Sequence, residues 1–277
     1  MTSGRADAKA PPAFFSARRV WAMALRYFYL LRGSWPRIAE LIYWPTVQVI
    51  LWGLITQFFV THSTWLARAG GVLIAGVLLW DVLFRSQLGV AVSFLEEVWA
   101  RNVGQLFVTP LQPYELMLSL AAMSLLRTLI GVVPAALIAI PLYSFSIFTM
   151  GLPLIAFFAN LMIFGWAMGL AVSGCIMRYG LGAESLAWLA IFALAPLSGV
   201  YYPISTLPDW LQPLAWALPM SYVFEGMRAV MFEHVFRTDL ILSALALNAV
   251  YLVAGGSAFL GFFRIARRRG LLLQMGE

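Results

Sequence analysis

The sequence predicts an all-α integral membrane protein with six transmembrane helices, an interfacial helix at the N-terminus and short re-entrant helices before the last span. Three observations support this fold class. Hydrophobic residues make up 62% of the chain and charged residues only 11%, whereas a soluble domain has about 25% charged residues. The apolar residues form long runs, with most charges and many prolines between them. The first long segment is amphipathic instead of uniformly apolar.

The N-terminal segment predicts a disordered cytosolic tail over residues 1–13, followed by an interfacial helix over 14–35. On the helix, apolar side chains recur on one face and arginines occupy the opposite arc. The apolar positions are Ala17, Val20, Ala24, Tyr27, Phe28 and Leu31. Basic residues facing anionic headgroups would hold such a helix along the membrane surface. A docking helix for a soluble partner is the alternative.

Six apolar runs lie within a transmembrane domain predicted over residues 36–265. A bilayer core about 30 Å thick needs about 20 apolar helical residues to cross it. The runs cover residues 38–60, 72–94, 116–142, 152–177, 186–203 and 240–263. The fifth run is the shortest. An even number of crossings places both termini on the same side of the membrane.

The basic residues predict which side that is, because short cytosolic segments carry an excess of Lys and Arg. Eleven of the eighteen basic residues lie before the first span or after the last: Arg5, Lys9, Arg18, Arg19, Arg26, Arg32, Arg37, Arg264, Arg267, Arg268 and Arg269. Both termini, including a basic tail over 266–277, are therefore expected in the cytosol. The net charge of +6 reflects this asymmetry, so nucleic acid is not an expected partner.

Residues 95–115 interrupt the apolar pattern between the second and third predicted spans. Their apolar residues follow helical spacing, which predicts a short cytosolic amphipathic helix over 96–108. The charged residues off the apolar stripe are Glu96, Glu97 and Arg101. Thr109 before Pro110 should stop this helix, and Pro113 is well placed to begin the next. The alternative is an amphipathic turn lying on the headgroups.

Three charges fall inside the second and third predicted spans. Asp81 and Arg85 are four residues apart in the second span, close enough for an ion pair, and Arg127 lies in the third. Charges are costly in lipid, so these should face the bundle interior or a wet cavity, where Asp81 could serve both arginines. Two interpretations remain open: the charges border the translocation path, or they clamp helices together.

Small residues recur every four positions in the fourth run, at Gly165, Gly169 and Ser173. Such a face lets helices approach closely, and packing within the chain is favoured over a dimer seam.

The segment 196–219 contains five prolines among many large apolar residues. It is too broken for a span and too apolar for a soluble loop, which predicts short helices that re-enter the membrane and cap its external end. The residues expected at this external gate are Tyr201, Tyr202, Pro203, Pro208 and Trp210. A simple aromatic belt at the interface is the alternative.

The chain shows no recognisable enzyme site. Its only lysine is Lys9, so it has no Gly-Lys-Ser/Thr phosphate loop for ATP, and no cofactor is expected in it. His62 and His234 lack the Cys/His spacing of a zinc site, so no metal is expected either. A membrane-embedded transferase would need an essential acid or base, and its candidates are Glu225, Glu233, His234 and Asp239.

The order of these parts resembles the membrane-spanning permease subunit of type-2 ABC exporters. Two stretches carry the resemblance, 96-EEVWARNVGQLFVTPLQPYEL-116 and 198-SGVYYPISTLPDWLQPLAWALPMSYVFEGMR-228. The resemblance implies a dimeric permease that exports a lipid-like, glycan-linked or drug-like substrate. It also implies two copies of a separate P-loop ATPase, which hold ATP and Mg. A Gram-negative relative would lie in the inner membrane.

The same resemblance makes 96–108 the coupling helix, with Glu96, Glu97 and Arg101 as contacts to the ATPase. Gln105 stands where many relatives have a second glutamate, so the resemblance does not decide which glutamate carries the coupling charge. An ion- or proton-coupled secondary transporter that uses Asp81, Arg85 and Arg127 is the alternative function.

Overall fold

The structure, a computed structural model, describes residues 15–62 and 70–270, which form helices and turns without strands. The α-helices in these residues are α1 Ala17–Arg32, α2 Trp35–His62, α3 Gly70–Trp99, α4 Val103–Leu106, α5 Pro113–Tyr143, α6 Leu152–Tyr179, α7 Ser185–Leu194, α8 Gln212–Trp216, α9 Pro219–Arg228 and α10 Thr238–Arg268. The tail predicted over 1–13 lies outside the described residues. Of the tail predicted over 266–277, the first three residues continue α10.

Five of these helices are long and apolar enough to cross a membrane, namely α2, α3, α5, α6 and α10. Each has at least 28 residues, which is about 42 Å at the helical rise of 1.5 Å per residue. They cover the predicted runs at 38–60, 72–94, 116–142, 152–177 and 240–263. The all-helical, multi-pass membrane architecture is therefore confirmed.

The run predicted to span at 186–203 does not form a helix of spanning length. α7 has ten residues and passes into a 3₁₀ turn at Ala195–Leu197. Pro196 removes a backbone donor there, and Gly199 adopts a φ of 68°, which a continuous helix cannot include. The fifth of the six predicted spans is therefore not confirmed, because the proline and the glycine interrupt its helix.

The helices α6 and α10 lie side by side and run in the same direction. Phe164 contacts Tyr251 and, further along, Gly174 approaches Phe262. Both helices therefore begin at the same end of the bundle, so residues 180–237 return the chain to that end. α7 lies on this return and packs on α3 through contacts between Phe84 and the rings of its two aromatic residues, Trp188 and Phe192.

The bundle has two distinct ends. The α1 end consists of α1, residues 95–112 and the last turns of α6 and α10, where the rings of Phe107 and Phe263 lie 4.5 Å apart. The opposite end carries a 3₁₀ turn at Ile147–Met150, residues 195–218 and a π turn at Ala229–Glu233. Both described termini, at the start of α1 and the end of α10, thus lie at the α1 end.

Close packing at the centre depends on glycine. A Cβ at Gly165 would lie 1.6 Å from Ser86 Oγ of α3, and one at Gly169 would lie 2.7 Å from the carbonyl oxygen of Gln87. The small face of α6 therefore packs on α3 within the chain, as the sequence favoured. On the α10 side, a Cβ at Gly255 would lie 2.2 Å from the carbonyl oxygen of Ala167.

Candidate functional site

The segment after α3 differs from the single helix predicted over 96–108. α3 continues to Trp99, the path breaks at Arg101 with a φ of 54°, and α4 has only four residues. A left-handed backbone at a residue other than glycine is uncommon and interrupts a right-handed helix. Pro113 begins α5 as predicted, and Gln112 with Glu115 forms a capping box there.

Glu97 is buried and binds α1. It is only 2% exposed, and its two carboxylate oxygens accept hydrogen bonds from the two terminal nitrogens of Arg26, one of them at 3.0 Å. Paired hydrogen bonds of this kind fix both distance and orientation. The hydrogen bond to Glu97 raises the pKa of the Arg26 guanidinium, so this side chain stays charged at any physiological pH. Glu97 therefore joins the end of α3 to α1.

Glu96 binds two arginines on different helices. Arg127 Nη2 of α5 donates to both of its carboxylate oxygens, at 3.0 and 2.9 Å, and Arg37 Nη1 of α2 donates at 3.3 Å. The predicted partner of Arg127 was Asp81. The structure corrects this because side chains of a helix lean towards its N-terminus, which for α5 lies at the α1 end, where Glu96 is located.

A third carboxylate, Glu115, lies in the first turn of α5. It is fully buried and accepts hydrogen bonds from Arg19 Nε at 2.8 Å, Arg19 Nη2 at 2.7 Å and the backbone N–H of Ser16 at 2.8 Å. The hydrogen bond to Glu115 raises the pKa of Arg19. The arginine arc of α1 and the acidic residues of 96–115 were a sequence signal for this pairing, but the arc was interpreted as facing headgroups.

We term these contacts the α1 clamp. It consists of the ion pairs Arg19–Glu115, Arg26–Glu97, Arg37–Glu96 and Arg127–Glu96. The clamp joins α1, α2, α3 and α5 at one end of the bundle. A displacement of residues 95–115 would therefore reach three helices beyond α3.

Glu96 and Glu97 do not form the exposed surface of the segment that follows α3. Val108 is 86% exposed and Trp99 49% exposed. Between residues 95 and 112, the exposed residues are Trp99, Ala100, Arg101, Gln105, Val108, Thr109 and Pro110. Of the three predicted coupling residues, only Arg101 lies on this surface.

Asp81 and Arg85 are buried in α3, with 6% and 8% of their surface exposed. Among the described residues neither forms an ion pair, so the expected Asp81–Arg85 bridge is not formed. Within residues 15–62 and 70–270, Asp81 Oδ2 and Arg85 Nε are buried without a hydrogen-bond partner. Arg85 instead lies over Gly131 of α5, where a Cβ would be 3.0 Å from Arg85 Cδ.

The predicted gate residues lie at the end opposite α1, but they have different surroundings. Tyr201 stacks on Trp52 of α2, with ring centroids 4.6 Å apart. The Tyr202 hydroxyl donates a hydrogen bond to the Pro196 carbonyl at 2.5 Å, within the same loop. Trp210 is 75% exposed. Pro203 and Pro208 lie on either side of a 3₁₀ turn at Ile204–Thr206.

α9 holds this turn in place, a role that the sequence did not predict. Glu225 accepts a hydrogen bond from the backbone N–H of Ile204 at 2.8 Å and one from Arg228 Nε at 3.2 Å. The Glu225 carboxylate therefore links α9 to the turn at Ile204–Thr206. Asp239, another acid considered for a transferase, is exposed and pairs with Arg237 at 2.6 Å. Both carboxylates thus have partners within the chain.

Five helices of spanning length, with a charged clamp at one end and broken helices at the other, have the architecture of a multi-pass membrane protein. The family model for the ABC-2 type transporter matches residues 19–232, most of the chain. The chain belongs to this family and is the permease of an ABC transporter, a class that works with an ATP-binding subunit. None of the curated proteins searched matches the chain.

Proposed function

We propose that the chain is the permease subunit of an exporter for a lipid-like, glycan-linked or drug-like substrate, powered by two copies of a separate P-loop ATPase. The family membership supports the permease role. The α1 clamp supports coupling to a partner, because it connects the last turn of α3, where the loop begins, to the spanning helices α2 and α5. No phosphate loop exists in the chain, so ATP and Mg would be held by the partner.

The α1 end is the cytosolic face in this proposal. Both described termini lie there, and eleven of the eighteen basic residues belong to the terminal segments. α7 together with residues 195–204 would make a sixth crossing, since residues 180–237 return the chain between the two ends. Residues 195–218 would then cap the external end, with Tyr201 and Trp52 in contact at the gate.

Two sets of residues would couple the ATPase to the spanning helices. Arg101, Gln105 and Val108 are exposed and would contact the ATPase. Glu96 and Glu97 face inward and would transmit its movement to α1, α2 and α5. This differs from the sequence-based expectation, in which the two glutamates touched the ATPase.

The test is reconstitution of the chain with its ATPase. Val108→Asp should leave the melting temperature unchanged, because the side chain is 86% exposed, and should abolish substrate-stimulated ATP hydrolysis. Val235→Asp is the matched control at the opposite end, where Val235 is 49% exposed, and should retain stimulation. Failure of the chain to co-purify with any ATPase in mild detergent would contradict the proposal.

The alternative, a secondary transporter, gains some support from Asp81, a buried carboxylate without an ion-pair partner among the described residues. It predicts transport by proteoliposomes without ATP, abolished by an uncoupler. The ABC permease predicts no transport under the same conditions.

A further inference from the structure

A groove lies between α5 and α6 in the half of the bundle farther from α1. It has a volume of about 310 Å³ and is lined by α3, α5, α6 and the turn that joins α5 to α6. The twelve described residues that line it are all apolar. Its floor includes Leu78, Leu79 and Val82 of α3, which are at most 2% exposed. We term this space the α5–α6 groove.

The groove exists because α3 packs against both of the helices that form its walls. A Cβ at Gly89 of α3 would lie 3.0 Å from the Cα of Ser124 on α5. A Cβ at Gly165 of α6 would lie 2.7 Å from the Cβ of Ser86 on α3. α5 and α6 themselves have little direct contact, so a hollow remains between them on the face of α3.

The mouth of the groove belongs to the surface that faces lipid. Leu129 and Val133 of α5 are each 40% exposed, and Ile155 of α6 is 64% exposed. All three residues lie in helices that are long and apolar enough to cross a membrane. The groove therefore opens sideways into the hydrocarbon region and is continuous with the lipid-facing surface of α5 and α6.

The apolar lining and the depth of the groove decide what occupies it. Water finds no hydrogen-bonding side chain there, and cavities with apolar walls stay dry and take up apolar molecules. An empty hollow would forfeit the dispersion contacts that close packing supplies. Acyl chains are apolar and flexible, and they already surround the mouth. We propose that the α5–α6 groove binds one acyl chain of a bilayer phospholipid, as a resident part of the folded permease and not as its transported substrate.

The chain around the groove offers no charge to select a headgroup. Residues 128–177, which include both walls and the turn between them, contain no Asp, Glu, Lys or Arg. The exposed polar residues of that turn include Ser144 and Thr149, which are uncharged. Binding should therefore depend on the acyl chain, and phosphatidylethanolamine and phosphatidylglycerol should compete equally for the groove.

The test uses the full chain in nanodiscs without any ATPase. The probe is phosphatidylethanolamine with a diazirine in the middle of one acyl chain, and labelled residues are located by mass spectrometry. Lipid that merely surrounds the protein reaches exposed residues such as Val250 and Val253 of α10. A chain inside the groove also reaches the buried floor. The measured quantity is the labelling of residues 78–82 relative to that of residues 250–253.

Val133→Trp places a large side chain at the mouth and should lower this ratio at least about fivefold, because overpacking a filled site is unfavourable. Leu118→Trp is the matched control, since Leu118 lies in the same helix near the α1 end, is 49% exposed and does not line the groove. It should retain the ratio of the parent chain. Ile155→Trp narrows the mouth from α6 and should give the same loss if Val133→Trp does not fold.

The inference would be overturned by absence of label on residues 78–82 in the parent chain. An unchanged ratio in both mouth variants, or an equal loss in Leu118→Trp, would overturn it as well. Labelling of the floor by a water-soluble diazirine would show a wet cavity instead. Stronger competition by one of the two phospholipids would contradict selection by the acyl chain.

A second copy of the chain is the remaining occupant to exclude. If a second copy covered the mouth, Ile155→Cys in a Cys175→Ser background would form intermolecular disulfides under mild oxidation, and the inference would fail. We expect no such disulfide. The measurement requires neither an ATPase nor transport, so failure of the exporter proposal would leave this result unaffected.

Discussion

The residue Glu96 illustrates how one carboxylate can have two partners of unequal importance. Arg127 is 9% exposed and makes two hydrogen bonds to Glu96, whereas Arg37 is 49% exposed and makes one at 3.3 Å. Water screens the Arg37 pair, and exposed pairs contribute at most about 1 kcal/mol. The Arg127 pair lies in a drier region, where removal of one partner leaves the other inadequately hydrogen-bonded.

Arg127→Gln should therefore lower the free energy of unfolding by about 1–3 kcal/mol, measured by thermal or denaturant unfolding in a fixed detergent. The matched change Arg37→Gln removes a partner of the same carboxylate and should cost less than about 1 kcal/mol. Equal losses for the two variants would show that burial does not govern this cluster.

Sequence reasoning identified the charged residues of α3 and α5 but assigned their partners incorrectly. Asp81 and Arg85 have the four-residue spacing of a helical ion pair, yet Arg85 extends over Gly131, and Arg127 reaches Glu96. Spacing along one helix is visible in a sequence, whereas the direction of a long side chain depends on which neighbouring helix leaves space. Glu115 escaped notice for the same reason, since its partner Arg19 is distant in the chain.

The helices themselves were predictable where apolar length decides the outcome. α5 begins at Pro113 as expected, because proline and the Gln112–Glu115 capping box are local signals. α7 was not predictable from length, because Pro196 and Gly199 end its helical path inside an apolar run. The break at Arg101 had no local signal, since arginine rarely adopts a positive φ.

Contact between the elements α6 and α10 should depend on one glycine. A Cβ at Gly255 would lie 2.2 Å from the carbonyl oxygen of Ala167, a backbone atom that cannot move aside alone. Gly255→Ala should therefore separate the two helices locally and lower the melting temperature in detergent. Gly261→Ala in the same helix meets nothing within 4 Å and should be neutral or stabilising by up to about 1 kcal/mol, the helix-propensity gain. A melting temperature unaffected by Gly255→Ala would mean that α6 and α10 are not packed this closely.

The whole molecule leaves α2 largely uncovered, and its exposed face is not purely apolar. Only 17% of its most apolar window is buried, and the exposed positions along one stripe are Glu40, Trp44, Gln48 and Leu51. The most exposed large residues of α10 differ, since Leu242, Val250 and Val253 are all apolar and suit lipid chains. A glutamate and a glutamine facing lipid would be costly, and interfaces favour aromatic residues such as Trp44. We propose that a second copy of the chain covers α2, and this contrast supports that surface.

A two-fold dimer through α2 would bring residues near the symmetry axis close to their own copies. In a Cys175→Ser background, which removes the only native thiol, Trp44→Cys, Gln48→Cys and Leu51→Cys should form intermolecular disulfides under mild oxidation in membranes. Because the three follow one helical stripe, an axis that crosses this part of α2 would bring at least one of them close to its copy. Val250→Cys and Val253→Cys on α10 are the matched controls, being 64% and 70% exposed, and should remain monomeric on non-reducing gels. Disulfides formed only by the α10 variants would place the interface on that helix, and disulfides formed by neither set would exclude both surfaces as the site of a symmetric dimer.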